Sequence, residues 1–353
     1  MKNMYHILAL ETSCDETAAS IVAFTKETFV NGMPRCIHIL GQSVQSQIAL
    51  HQKTQGVVPE VAARQHVPAV LPCIDRVLRH GSKCMEDIDA IAVTAGPGLI
   101  TSLMVGVETA KTIAFVFKKP LLAMNHIESH IAATFTSGKH IRFPALALVV
   151  SGGHTELILI PRVGVYTLVG RTRDDAVGEA FDKVAKILHL EYPGGPAIAK
   201  CARSVHSRPS SSVRFPRPMI EDQSFDMSFA GLKTAVRYYV AQHPPRSIHE
   251  RAVICNAFQD AVVELLVTKT LRAVREVKAQ TVLLVGGVAA NQKLRAVLRR
   301  HSQKIGIPFF VPPKHLCTDN ATMVALAAIH HFLVGNFSDP LQLTVRADWE
   351  LSH

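Results

Sequence analysis

Two histidines, His126 and His130, stand four residues apart in Asn125-His126-Ile127-Glu128-Ser129-His130. On a helix that spacing puts both imidazoles on one face, the geometry by which two His share a metal ion. The same spacing also occurs on ordinary surface helices, so a third ligand has to come from elsewhere. Asp319, in Cys317-Thr318-Asp319-Asn320, is the best distant candidate, although an Asp at a helix start is commonly only a cap. The run is not HExxH. Glu128 falls about 200° round a helix from His126, so it does not take the place of a metalloprotease general base.

Acidic residues gather in two turns, Glu11, Asp15 and Glu16 in the first, Asp174, Asp175, Glu179 and Asp182 in the second. Such residues usually cap helices or sit in water. Their chemical reading comes from the small-residue loops nearby. Ser151-Gly152-Gly153-His154-Thr155 offers free backbone N–H groups that can approach a phosphate, or makes a plain tight turn. Gly286-Gly287-Val288-Ala289-Ala290-Asn291 follows an apolar run and opens a helix, a nucleotide-site arrangement without the G-x-G-x-x-G fingerprint. Pro193-Gly194-Gly195-Pro196 can lie flat against a ribose or base, or simply end a helix. Neither a P-loop nor a G-x-S-x-G nucleophile elbow occurs.

The elements that must position these residues alternate. Apolar strands are expected at 5–10, 18–24, 88–94, 145–150, 157–160 and 281–285. Helices are expected at 59–80, 99–117, 120–135, 175–188, 247–277, 291–301 and 319–333. This is an α/β pattern. The strand–turn–strand unit at 5–24 returns at 145–160, which points to a duplicated architecture with a ligand between the two turns, or else to two unrelated hairpins.

At 353 residues the chain exceeds the size of one growing core, so two lobes are expected. A 48% hydrophobic and 19% charged composition suits a folded protein. The net charge of +10 is compatible with a polyanionic partner. Seven scattered cysteines without C-x-x-C read as free thiols in a reducing, cytoplasmic setting. The uncharged stretch 90–107 is broken by Gly96-Pro97-Gly98, so no membrane span is expected.

Taken in order, these motifs are no longer generic. Leu10–Thr17, Gly56–Glu60, Thr94–Leu99, the His126/His130 pair, Val150–Thr155, Gly178–Lys183, Tyr192–Pro196, Phe229–Thr234, Gly286–Asn291 and Cys317–Asn320 resemble one family along residues 5 to 350. It is the tRNA N6-adenosine threonylcarbamoyltransferases (TsaD in bacteria), once called O-sialoglycoprotein endopeptidases. The resemblance implies a two-lobed actin/hexokinase/Hsp70-like fold with duplicated βββαβα-type domains. The lobes would be 1–120, completed by a C-terminal helix over 325–345, and 121–324. It implies transfer of threonylcarbamoyl from threonylcarbamoyl-AMP to N6 of adenosine 37, in tRNAs reading codons that begin with A. It further implies that His126, His130 and Asp319 bind Fe2+ or Zn2+, and that Val149, Val150, Ser151, Gly152, Gly153, Asp182, Gly195 and Asn291 line the adenylate site. Asp15 and Glu16 would lie near the reacting centre. The implied partners are tRNA, a paralogous TsaB-like subunit and a small TsaE-like ATPase, with the helices at 59–80 and 99–117 as docking surface, or with the apolar run of the second as core.

Two departures stand out. Ala199 occupies a position where the family often carries an acidic residue for the ribose, and Asn125 stands where some relatives have another His. The rival readings are a small-molecule kinase of the same fold and a metal-dependent peptidase.

Overall fold

The computed structural model describes residues 4–26, 29–30, 33–34, 36–137, 141–204 and 213–351. The first sheet holds β1 (Tyr5–Glu11), β2 (Glu16–Phe24), β3 (Ile37–Ser46), β4 (Ala90–Gly96) and β5 (Leu121–Asn125), in the order β3-β2-β1-β4-β5. The second holds β6 (Ala145–Val150), β7 (Thr155–Arg162), β8 (Val165–Arg171), β9 (Thr281–Val285) and β10 (Phe309–Phe310), in the order β8-β7-β6-β9-β10. In each sheet the first three strands are antiparallel and the last two join parallel. The duplication read from the two strand–turn–strand units is therefore complete.

Helices cover both faces of both sheets. α1 (Pro59–His80) and α2 (Ile100–Val116) close the outer face of the first sheet over Leu8, Leu10, Ile91 and Val93. Pro59 starts α1 where its missing N–H costs nothing, and Pro68 and Pro72 sit on its exposed side. Five helices close the outer face of the second sheet: α4 (Val177–Ile187), α5 (Gly194–Ala202), α6 (Ala230–Gln242), α7 (Ile248–Glu276) and α8 (Gln292–Lys304).

Two helices lie between the sheets. α3 (His126–Ala132) packs Ile127 and Ile131 on Ala147, Val149 and Leu283 of the second sheet. α9 (Ala321–Val334) packs on Ile7, Ala9 and Leu122 of the first, and α3 touches α9.

Two expectations are corrected. Residues 120–135 are not one helix. Leu121, Leu122 and Met124 are fully buried and pair in parallel with β4, and the helix begins only where the Asn125 side chain accepts from the N–H groups of Ile127 and Glu128. That strand also carries the first sheet past residue 120. The closing helix does not span 325–345 but runs Ala321–Val334, because Gly335 takes the left-handed conformation at φ +73° and Pro340 follows.

Candidate metal centre and cleft

The His pair is set by α3. Asn125, at the end of β5, caps the helix, so His126 and His130 leave its first two turns on one side. Their rings meet edge to face with centroids 4.7 Å apart. Asp319 arrives from the residue before the Asn320 cap of α9, whose side chain accepts from Met323 N–H at 2.9 Å. Asp319 Oδ1 lies 3.6 Å from His126 Nε2 and 3.2 Å from His130 Nε2. One ligand atom from each of the three residues falls within 4.8 Å of the others.

Both ring nitrogens of His130 are buried without a hydrogen-bond partner among the described residues. The 3.2 Å approach to Asp319 is therefore close but misaligned, an arrangement that is costly for a buried polar atom and natural for a metal ligand. The residues fit a divalent ion, with two imidazole nitrogens and one carboxylate oxygen as donors.

Behind them stands Glu11, a residue that the sequence placed only in an acidic turn. It ends β1 and is fully buried. Oε2 lies 3.2 Å from His126 Nδ1 and accepts from Thr94 Oγ1 at 2.7 Å, while Oε1 accepts from Ser13 N–H at 2.6 Å. A carboxylate on one ring nitrogen fixes the tautomer and aims the other nitrogen. Burial opposes charge on His126, yet Asp319 and Glu11 outweigh it and push its pKa up to about 9. Burial would raise Asp319, but His126 and His130 draw it down to about 2.

Two further histidines were missed. His154, in the second turn, is driven down to about 4 by burial and by the charges of His126 and His130, so it is a neutral imidazole. His66, on α1, is buried between Thr17 Oγ1 at 2.8 Å and the Cys14 carbonyl at 3.0 Å, and braces the first turn. A lone His in an amphipathic helix carries no signal for the role of His66, and His154 was read only as part of the Ser151–Thr155 turn.

Glu128 is turned away from the centre. It accepts from Tyr166 Oη at 3.0 Å and lies 3.1 Å from His331 Nε2, tying α3 to β8 and α9. The angular argument from the sequence holds.

Asp15 and Glu16 border the same cleft. Asp15 lies between Cys14 and Glu16, and Ser46 Oγ donates to Glu16 Oε1 at 3.1 Å. Burial first, then Asp15 and Asp319, push the Glu16 carboxyl well above the ordinary carboxylate range.

Across the cleft, Val149 and Val150 are buried strand residues, so only their main chain can face a ligand. Gly152 and Gly153 are exposed at the turn, where His154 N–H donates to Ser151 Oγ at 3.0 Å. Gly286 packs on Val150 with φ +90°, where an added Cβ would stand 2.4 Å from the Val150 carbonyl oxygen. Asn291 caps α8 and donates to Gln259 at 3.0 Å. Asp182 accepts from Gly194 N–H at 2.7 Å, and a Cβ on Gly195 would meet open space. Gln52 Nε2 reaches over to the Tyr192 carbonyl at 3.0 Å and links first-lobe chain to this wall.

Solved structures with a similar fold include a HypF from T. kodakarensis (14% identity, TM-score 0.61, covering 95% of this chain and 48% of that one). Another is a full-length HypF determined with phosphate and nucleotide bound (11% identity, TM-score 0.60, covering 94% and 46%). Twin sheets of this order, with helices between and outside them, define a two-lobed α/β protein of the actin/hexokinase/Hsp70 class. The family model for tRNA N6-adenosine threonylcarbamoyltransferase matches residues 38–326. Relatives of that name share 44% identity over 350 residues in Moorella thermoacetica (98% of this chain, 97% of that one) and 43% over 349 residues in Anaeromyxobacter dehalogenans (99% and 100%). The chain belongs to the tRNA N6-adenosine threonylcarbamoyltransferase family. It is an enzyme acting on tRNA, and its family implies a divalent metal.

Proposed function

We propose that the enzyme takes threonylcarbamoyl-AMP as donor and modifies N6 of adenosine 37 in tRNAs reading codons that begin with A. The convergence of His126, His130 and Asp319 in a cleft flanked by two small-residue turns carries this reading. These three residues hold the metal, and a two-imidazole, one-carboxylate set suits Fe2+ while also accepting Zn2+. When bound, the ion supplies positive charge beside the phosphate or carbonyl oxygen.

Main chain at Val149–Gly153, with Asp182, Gly195 and Asn291, receives the adenylate. Free N–H groups at Gly152 and Gly153 suit its phosphate. With Ala199 in place of an acidic residue, the ribose hydroxyls fall to Asp182 or to backbone and water. The adenosine N6 attacks the carbamoyl carbon, the C–O bond of the mixed anhydride breaks, and AMP leaves. The N6 proton passes to Asp15 or Glu16, whose turn faces the centre.

A paralogous TsaB-like subunit docks on α1 and α2, with a TsaE-like ATPase completing the set. Support comes from the solvent-exposed apolar side chains Val67, Leu71, Ile100 and Met104 on these two mutually packed helices. The lobe division near residue 120 is kept, amended so that β5 stays with the first lobe and α9 completes it. A cytoplasmic site of action agrees with seven unpaired cysteines, and no described helix is long and apolar enough to cross a membrane.

The test is to incubate the purified chain with threonylcarbamoyl-AMP, the partner proteins and unmodified tRNA, then analyse the nucleosides. Modified adenosine is expected with the wild type, and loss of both bound metal and product with His126→Ala/His130→Ala. Metal analysis of protein purified without oxygen identifies the ion. ADP formed from a small-molecule acceptor, with tRNA untouched, would overturn the reading in favour of a kinase.

A further inference from the structure

We infer that a basic pocket between α4 and α6 is a docking site for the phosphodiester backbone of the tRNA. The inference rests on the tRNA-modifying reading above and adds a contact outside the cleft.

The pocket, about 380 Å³, is lined by Lys183, Lys186 and Ile187 of α4 and by Lys233, Thr234 and Arg237 of α6. Its cations are not equivalent. Lys183 Nζ is held by Asp175 at 2.9 Å and Glu179 at 2.7 Å, and Lys233 Nζ by Asp175 at 2.6 Å. Lys186 and Arg237 make no ion pair among the described residues, and both are exposed. Four cations thus face two carboxylates, which leaves an uncompensated double positive charge. α6 contains no Asp or Glu that could neutralise it from within.

Unpaired cations around a concavity select for an anion, and a polyanion with several phosphates in reach is favoured over a single one. Arg237 also lies 5.4 Å from the Tyr238 ring, whose exposed face suits a ribose or unstacked base. The pocket's separation from Asp182 follows from the helix. Lys186 stands four residues after the cleft-lining Asp182, about 6 Å along the axis. A tRNA presenting one base to the cleft carries neighbouring phosphates across this span.

The experiment compares wild type with Lys186→Glu/Arg237→Glu and with the neutral Lys186→Gln/Arg237→Gln. It measures tRNA affinity against salt, and transfer rate against tRNA concentration. Wild-type modification of tRNA establishes the parent reading first. The inference then expects KM for tRNA to rise by roughly tenfold or more with the charge reversal, and the salt slope to fall by about two with the neutral pair. The rate at saturating tRNA and the affinity for the adenylate stay as in the wild type. Lys186→Arg/Arg237→Lys restores binding. Unchanged KM and salt slope would overturn the inference, as would an equal loss in adenylate affinity, which would make the pocket part of the small-molecule site. Inorganic phosphate competing in the low millimolar range would assign the pocket to a free anion instead and overturn it too.

Discussion

Asp182 shows how one carboxylate can be poised by its surroundings. Burial, then the negative Asp15 and Glu179, raise its pKa from 3.8 to about 6, although the Gly194 N–H works the other way. A raised carboxylate binds its proton more tightly in the fold than in the unfolded chain. Its contribution to stability is therefore present at low pH and is lost as pH rises from about 4 to about 6. Asp182→Asn keeps the acceptor for Gly194 and removes the ionisation. The variant should be more stable than wild type at pH 7.5 by about 1–2 kcal/mol after allowance for partial exposure, and no more stable at pH 4. Denaturant titrations at the two pH values check this, and an identical difference at both would show that Asp182 ionises normally. Of the site residues, His126, His130 and Asp319 were legible because helical spacing and motif order both pointed to them. Glu11 was not. Its role depends on burial at a strand end against Thr94 and His126, and those contacts are remote in sequence.

Among the elements, the buried strands at 5–11, 145–150 and 281–285 and the long helices read directly from periodicity, since each buries a whole face or stripe. One misread segment was 120–135, where a short buried strand abuts a short buried helix and neither is long enough to show its period. Strand β3, with its half-exposed pattern, gave no signal at all. What positions the Val149–Gly153 turn against the Gly286–Asn291 turn is close backbone packing, and Gly286 is its tightest point. Gly286→Ala would force a Cβ to 2.4 Å from the Val150 carbonyl oxygen at a φ of +90°. The loop must shift, at a cost of about 1–3 kcal/mol, and carry Asn291 with it. The expected result is a lower unfolding midpoint and a loss of adenylate affinity larger than any loss of tRNA affinity. Calorimetric titration of both ligands checks it, and equal losses would count against the assignment of Asn291.

At the scale of the molecule, the sequence disclosed the duplication but not how the two halves interlock. The outer helices α1 and α2 keep Leu71 (62% exposed) and Met104 (48% exposed) in solvent. Leu71→Glu/Met104→Glu should leave stability within about 0.5 kcal/mol of wild type and, if the proposed paralogous subunit docks here, weaken its binding by tenfold or more. Titration of the labelled partner decides, and unchanged affinity would remove this face from the assembly. The interlock itself lies in α9 and the segment after it. Met323, Leu326 and Ile329 bury against the first sheet, Arg346 N–H donates to the Ala95 carbonyl at 2.7 Å, and Leu351 enters the core of the second lobe. On the ribosome, then, the half of the protein made first is finished last. The first sheet waits with one apolar face bare until residues 321–334 emerge, while the second sheet can already pack against its outer helices, all of which precede residue 305. Nascent chains stalled before residue 320 should therefore carry a sticky, chaperone-seeking surface, and the His126/His130/Asp319 cluster can assemble only once residue 319 has emerged.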